Sequence, residues 1–273
     1  FQVDGTGSTR VELSRGSGTL ILDPFVTVLD SSGNVIASDD DSGPGTDSRL
    51  TFVVEQGATY FVEARGYGTR VGEYHLDLTF IPDVGDTIAT AQDLGTLTDS
   101  QPLTVEGVID QAGDLDLYSF QASVSGSVLV RLAASFSQLD TFLTVLDSSG
   151  QVIGTNNDST TATTDSALSF SAIQGETYFV EARGVRDTFG EFELSLTIVN
   201  SLGLLTAAQP IVVQDVIDPA FDRDQFQFQT EVSGPVVVDL SAASESSLDT
   251  VVTIRDSNGY FVASNDDFDF FGG

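Results

Sequence analysis

A twelve-residue phrase occurs three times in this chain, and that repetition limits what the chain can fold into. Leu22-Asp23-Pro24-Phe25-Val26-Thr27-Val28-Leu29-Asp30-Ser31-Ser32-Gly33 returns as Leu139-Asp140-Thr141-Phe142-Leu143-Thr144-Val145-Leu146-Asp147-Ser148-Ser149-Gly150. It returns again as Leu248-Asp249-Thr250-Val251-Val252-Thr253-Ile254-Arg255-Asp256-Ser257-Asn258-Gly259. A second phrase, Tyr60-Phe61-Val62-Glu63-Ala64-Arg65-Gly66, recurs unchanged as Tyr178 to Gly184. The copies lie about 110–118 residues apart, the size of a whole domain rather than of a solenoid repeat. The expected organisation is therefore three units: 1–82 lacking its first strands, 83–200 complete, and 201–273 lacking its last strands. Linkers this short predict a semi-rigid array.

The periodicity inside each unit is that of strands. Ser127-Val128-Leu129-Val130-Arg131-Leu132 alternates apolar and polar residues, and Phe192, Leu194, Leu196 and Ile198 share one face of a second strand. Ser32-Gly33, Ser149-Gly150 and Asn258-Gly259 sit between apolar runs and read as tight hairpin turns. Arg255 stands where the other copies have Leu29 and Leu146. An unpaired arginine is costly in a core, so Leu143 and Val145 are expected inward, with Phe142, Thr144 and Leu146 on the more accessible face. Asp86 to Gly95 carries capping residues first and glycine last, which predicts a helix of at most two turns. The fold class expected is all-β: tandem jelly-roll-like β-sandwich domains, one complete and two partial.

Charge narrows the partners. The chain has 41 acidic residues against 10 basic ones, a formal net charge of −31, and every basic residue is arginine. A polyanion repels nucleic acid and anionic membranes, and no apolar run approaches the ~20 residues of a membrane span. Divalent cations are the natural partners. There is no cysteine, so neither disulfides nor thiolate metal sites contribute. Without lysine, a Lys–Asn isopeptide cross-link is also excluded. The one histidine, His75, faces away from Tyr74, Leu76 and Leu78 and has no repeated partner, as expected of a surface residue rather than a catalytic base.

In order along the middle unit come Asp116-Leu117-Tyr118-Ser119-Phe120, a glycine with a Val/Leu strand, and Leu139-Asp140-Thr141-Phe142-Leu143-Thr144-Val145-Leu146-Asp147-Ser148-Ser149-Gly150. An Asn/Asp-rich loop, Gly175-Glu176-Thr177-Tyr178-Phe179-Val180 and a closing Gly190-Glu191-Phe192-Glu193-Leu194 strand follow. This series resembles the bacterial pre-peptidase C-terminal domain, a jelly-roll-like sandwich attached to secreted proteins. The resemblance runs from Asp86 to Ile198. It implies secretion or a cell-surface location and a non-catalytic role, beside peptidases, in collagen-binding modules or as repeats of large surface proteins. Some members bind calcium.

The sharpest candidates for chemistry are Asp/Asn loops after the hairpin. The first copy offers Asp39, Asp40, Asp41 and Asp47; the middle copy Asn156, Asn157, Asp158 and Asp165; the third Asn265, Asp266 and Asp267. Calcium takes six to eight hard oxygens from a flexible loop, and such loops would bind Ca2+ at about 0.1–1 mM. The competing reading is that these side chains form turns and caps with their own backbone. Glu63 with Arg65, repeated as Glu181 with Arg183, reads as a solvated strand pair worth little energy.

No Ser-His-Asp arrangement or phosphate-binding glycine loop is present, so no catalytic residues are assigned. The expected function is structural or adhesive, a stalk, matrix or filament component that associates with itself or with neighbouring repeats and is stabilised by divalent cations. Unpaired sheet edges in the outer units would permit strand donation between chains. A second reading is an accessory module of a secreted peptidase or other hydrolase that binds extracellular protein or polysaccharide through Tyr67 and Phe189. A third is a halophile's surface protein, acidic for salt tolerance.

Overall fold

The computed structural model describes residues 1–273 except 19–21, 100, 137, 160–162, 208, 215–216, 218–223, 243–247, 257–260 and 267–273. Among the described residues every regular element is a strand. The first unit contains β1 (Gly7–Arg15), β2 (Pro24–Leu29), β3 (Val35–Asp39), β4 (Ser48–Val54), β5 (Phe61–Gly66) and β6 (Tyr74–Pro82). The middle unit contains β7 (Gln92–Leu97), β8 (Leu103–Ile109), β9 (Leu115–Ala122), β10 (Gly126–Ala134), β11 (Thr141–Leu146), β12 (Val152–Asn156), β13 (Ser166–Ala172) and β14 (Thr177–Gly184). Then come β15 (Gly190–Leu205), β16 (Phe226–Thr230), β17 (Val252–Arg255) and β18 (Phe261–Asn265).

The middle unit is a two-sheet sandwich. One sheet runs β13-β10-β15 with β8 on the far edge of β15, and the other runs β12-β11-β14-β9-β7. Their inner faces close on Tyr118, Phe120, Val130, Leu132, Leu143, Val145, Phe192, Leu194 and Leu196, all at most 1% exposed. Burying side chains of this size stabilises the fold by roughly 1.5–3 kcal/mol each. Leu143 and Val145 point inward as the Arg255 argument expects and Phe142 and Leu146 lie half-buried, but Thr144, expected on the same accessible face, is buried at 6%. The repeated arginines do more than decorate that face. Arg183 lies 3.7 Å over the Phe142 ring and Arg65 lies 3.6 Å over Phe25, so each guanidinium covers an aromatic on the neighbouring strand.

The two hairpin glycines that are described, Gly33 and Gly150, both have φ of +82°, the left-handed backbone such a turn requires. Asp30 and Asp147 brace these turns. Asp147 Oδ1 accepts from the amides of Ser149 and Gln151, and Asp30 Oδ1 accepts from those of Ser32 and Asn34. The third hairpin turn, Asn258-Gly259, lies outside the described residues. The glycine that ends each Tyr-Phe-Val-Glu-Ala-Arg-Gly phrase is also explained. A Cβ on Gly184 would stand 1.9 Å from the Thr188 carbonyl oxygen, and one on Gly66 2.0 Å from that of Arg70.

The helix expected over Asp86–Gly95 does not form. Thr87 to Thr90 makes a single turn, closed by the Thr90 amide donating to the Thr87 carbonyl, and Gln92–Leu97 pairs in parallel with β9. A segment this short gains more from an existing sheet edge than from one costly helical nucleus. The expected boundary at 200/201 falls inside β15. Its first part pairs with β8 and β10, while Asn200 to Leu205 pair in parallel with β16.

Candidate functional site: the junction of the first and middle units

Two groups of charged side chains meet where the first unit joins the middle one. The first is a set of carboxylates. Asp83 follows β6 directly, Asp114 precedes β9, and Asp116 lies on β9; each offers an oxygen within 4.8 Å of the others. It is the one such group of acidic side chains among the described residues. Asp116 is 1% exposed and its Oδ1 has no hydrogen-bond partner. Its Oδ2 accepts from the Tyr118 hydroxyl at 3.4 Å. Desolvation above all, with the charge of Asp114, Asp83 and Asp110 beside it, pushes the Asp116 carboxyl up to about 9.

Asp110 borders the group. Its amide donates to Asp114 Oδ2 at 2.6 Å, and its own carboxylate accepts from the Ser8 hydroxyl of the first unit. Burial raises the Asp110 carboxyl to about 6, with Asp114 and Asp83 adding to the shift and Ser8 opposing it. The connecting segment is pinned to both units. The Asp83 amide donates to Thr6, and the Leu117 amide donates to Gly85.

The second group alternates in sign. Arg10 on β1 reaches Glu106 on β8 at 2.8 Å and Glu191 on β15 at 2.9 Å. Arg49 on β4 bonds Glu12 at 2.8 Å and also bonds Glu191. Thr51 donates to the other Glu191 oxygen, and Arg49 lies 4.1 Å over the Phe136 ring. Glu191 is 5% exposed and Arg10 8%. Burial alone would raise the Glu191 carboxyl. Thr51, Arg49 and Arg10 outweigh it and hold the group below its ordinary range.

Four of the loop residues singled out from the sequence bond backbone amides. Asp39 accepts from the amides of Ser42 and Arg49, and Asp47 accepts from that of Arg15. Asn156 accepts from the Ala167 amide and Asp165 from the Ala134 amide, the same two bonds in the middle unit. These four side chains strap loops to strands. Asn157 Nδ2 approaches Asp158 at 3.4 Å. Asp40 is half-buried, while Asp41, Asn265 and Asp266 are exposed; Asp267 lies outside the described residues. Asp41 is held above the ordinary carboxylate range, first by desolvation and then by Asp40, Asp23 and Asp39. His75 is exposed, and so are Tyr67 and Phe189. Asp83 carries no repeat signature, whereas Asp114 and Asp116 recur in the sequence of the third copy as Asp222 and Asp224.

Comparison with known proteins adds a family. The model of the bacterial pre-peptidase C-terminal domain matches residues 114–184. Among solved structures, the chain is similar to the pre-peptidase C-terminal domain of a collagenase from Bacillus anthracis. That match has 17% identity and a TM-score of 0.32, and covers 39% of this chain and 94% of that one. It is also similar to PliG of Aeromonas hydrophila, a periplasmic inhibitor of g-type lysozyme. There the identity is 12% and the TM-score 0.30, with 40% of this chain and 98% of that one covered. No curated protein sequence matches. The Asp-x-Tyr-x-Phe strand, the repeated hairpin and the Tyr-Phe-Val-Glu-Ala-Arg-Gly strand all fall within residues 114–184, the part of the middle unit that the model of the bacterial pre-peptidase C-terminal domain matches.

Proposed function

We propose that this chain is a non-catalytic, load-ordering segment of a secreted or cell-surface protein, and that a divalent cation stabilises the junction of its first two units. Asp116 carries the reading. A carboxylate buried to 1%, with one oxygen lacking a partner and two more carboxylates within reach, is costly unless it is protonated or bound to an ion. Calcium suits a site of hard oxygens with irregular spacing. Asp83, Asp114 and Asp116 would hold it, with the Tyr118 hydroxyl orienting Asp116. Contact with neighbouring repeats of the same protein is the expected association.

Thermal melts in EDTA, in millimolar calcium and in molar sodium chloride test this reading. Calcium should raise the melting temperature of the wild type and leave Asp116→Asn unmoved. A response to molar salt alone would favour acidity as salt tolerance. A second reading, an accessory binding module of a secreted hydrolase, is supported by the family's association with peptidases and by Tyr67 and Phe189, which are 53% and 57% exposed. Titration with a collagen-like peptide or a soluble polysaccharide, against Tyr67→Ala with Phe189→Ala, separates it from the first.

A further inference from the structure

We infer that the outer face of β1 and β4 in the first unit is a neighbour-selecting surface, built to lock onto a following unit that presents two glutamates at the positions of Glu106 and Glu191. The two junctions of this chain are built differently. The repeat aligns β1 with β10 and β4 with β13, so Arg10, Arg49 and Thr51 correspond to Leu129, Ala167 and Ser169 in the middle unit. The middle unit therefore cannot offer the same fork to the third. The third unit could not receive it either, since Gln214 stands in the position of Glu106. Arg131, which replaces Glu12, has the like charge of Arg255 near it, where Glu12 pairs with Arg49. At that second junction the backbone itself makes the connection, through β15 and its pairing with β16.

The energetics suit selection better than adhesion. A buried ion pair returns little net stability over apolar packing, yet removing one partner leaves an uncompensated buried charge, which is strongly destabilising. Glu191 lies between two arginines and receives the Thr51 hydroxyl as well. A neighbour with leucine or glutamine in place of the glutamates would strand Arg10 away from water and leave Arg49 with Glu12 of its own unit alone. The fork thus discriminates between neighbours by penalising the wrong one. This holds whether or not a cation occupies the carboxylate group nearby.

The chain has no cysteine, so paired spin labels can be placed at will on the full protein. Ser32→Cys with Ser148→Cys spans the first junction, and Ser148→Cys with Ser233→Cys spans the second. The wild type should give one narrow distance distribution for 32–148. Glu191→Gln should broaden it about twofold or more, as expected for units without a locked interface, and leave 148–233 unchanged. Glu193→Gln, an exposed charge on the same strand, should leave both narrow. A 32–148 distribution in Glu191→Gln as narrow as the wild type overturns the inference. If Glu191→Gln unfolds the middle unit, Arg49→Gln carries the test from the first unit's side, and an unchanged narrow distribution there overturns it equally.

Discussion

Strands β6 and β15 descend from the same repeat and meet opposite fates. In β15 the row Phe192, Leu194, Leu196 and Ile198 is 0%, 0%, 0% and 3% exposed. In β6 the matching row Tyr74, Leu76, Leu78 and Phe80 is 53%, 39%, 43% and 39% exposed. Both strands pair along one edge with the long strand of their unit, β1 or β10. The difference is on the other side, where β8 pairs with β15 and Tyr118 of β9 meets Phe192 edge-on at 6.3 Å. A strand's apolar pattern therefore states which face can be buried; whether it is buried depends on a second layer supplied elsewhere in the chain.

The contrast can be broken by mutation. Phe192→Ala should destabilise the middle unit by about 3–5 kcal/mol, whereas Tyr74→Ala should cost under about 1 kcal/mol. Urea unfolding with a probe in each unit measures both, and equal losses would erase the distinction. Gly184→Ala and Gly66→Ala probe what the units share. Each forces a Cβ against a carbonyl, so each should cost about 2–3 kcal/mol in its own unit.

The carboxylate group sharpens the comparison further, because among the described residues it occurs at the first junction only. Asp116 titrates near 9 in the fold, above its ordinary 3.8. The folded state then holds a proton that the unfolded chain has lost, so stability without cations should fall as pH rises from about 4 toward 9. Calcium at 10 mM, ten to a hundred times an affinity of 0.1–1 mM, should restore about 1.4–2.7 kcal/mol at pH 8. Asp116→Asn should remove the fall in stability above about pH 6, leaving the Asp110 contribution below it, and abolish the calcium response. Glu191 runs the other way. Its carboxyl lies below the ordinary 4.5, so its contribution is present above that pH and is lost as the solution is acidified through the depressed value. The smallest effect is expected at the hairpins, where Asp147→Ala and Asp30→Ala should each lower stability only slightly.

Much of the architecture was legible because repeats annotate each other. Arg255 in one copy orients Leu143 and Val145 in another, and Phe1 packs against Tyr60 and Phe52 as Phe120 does against Tyr178 and Phe170. The junction was not legible for the same reason. Arg10, Arg49 and the pairing of Asp83 with Asp116 have no echo in the other copies, and Arg49 meets Glu191 across 142 residues of sequence. The loop aspartates drew attention because they do repeat, and Asp39, Asp47, Asn156 and Asp165 repeat as straps for backbone amides. The short helix expected after Gly85 failed on a non-local fact, the free edge of β9.

Strand β15 runs sixteen residues from Gly190 to Leu205 and serves two units along one uninterrupted backbone. A protease needs several residues of substrate released from their neighbours and drawn into its cleft as an extended ribbon. From Gly190 to Leu205 the chain spends its hydrogen bonds on β8, β10 and β16 in turn, leaving scissors no slack to grip between the middle unit and the one that follows.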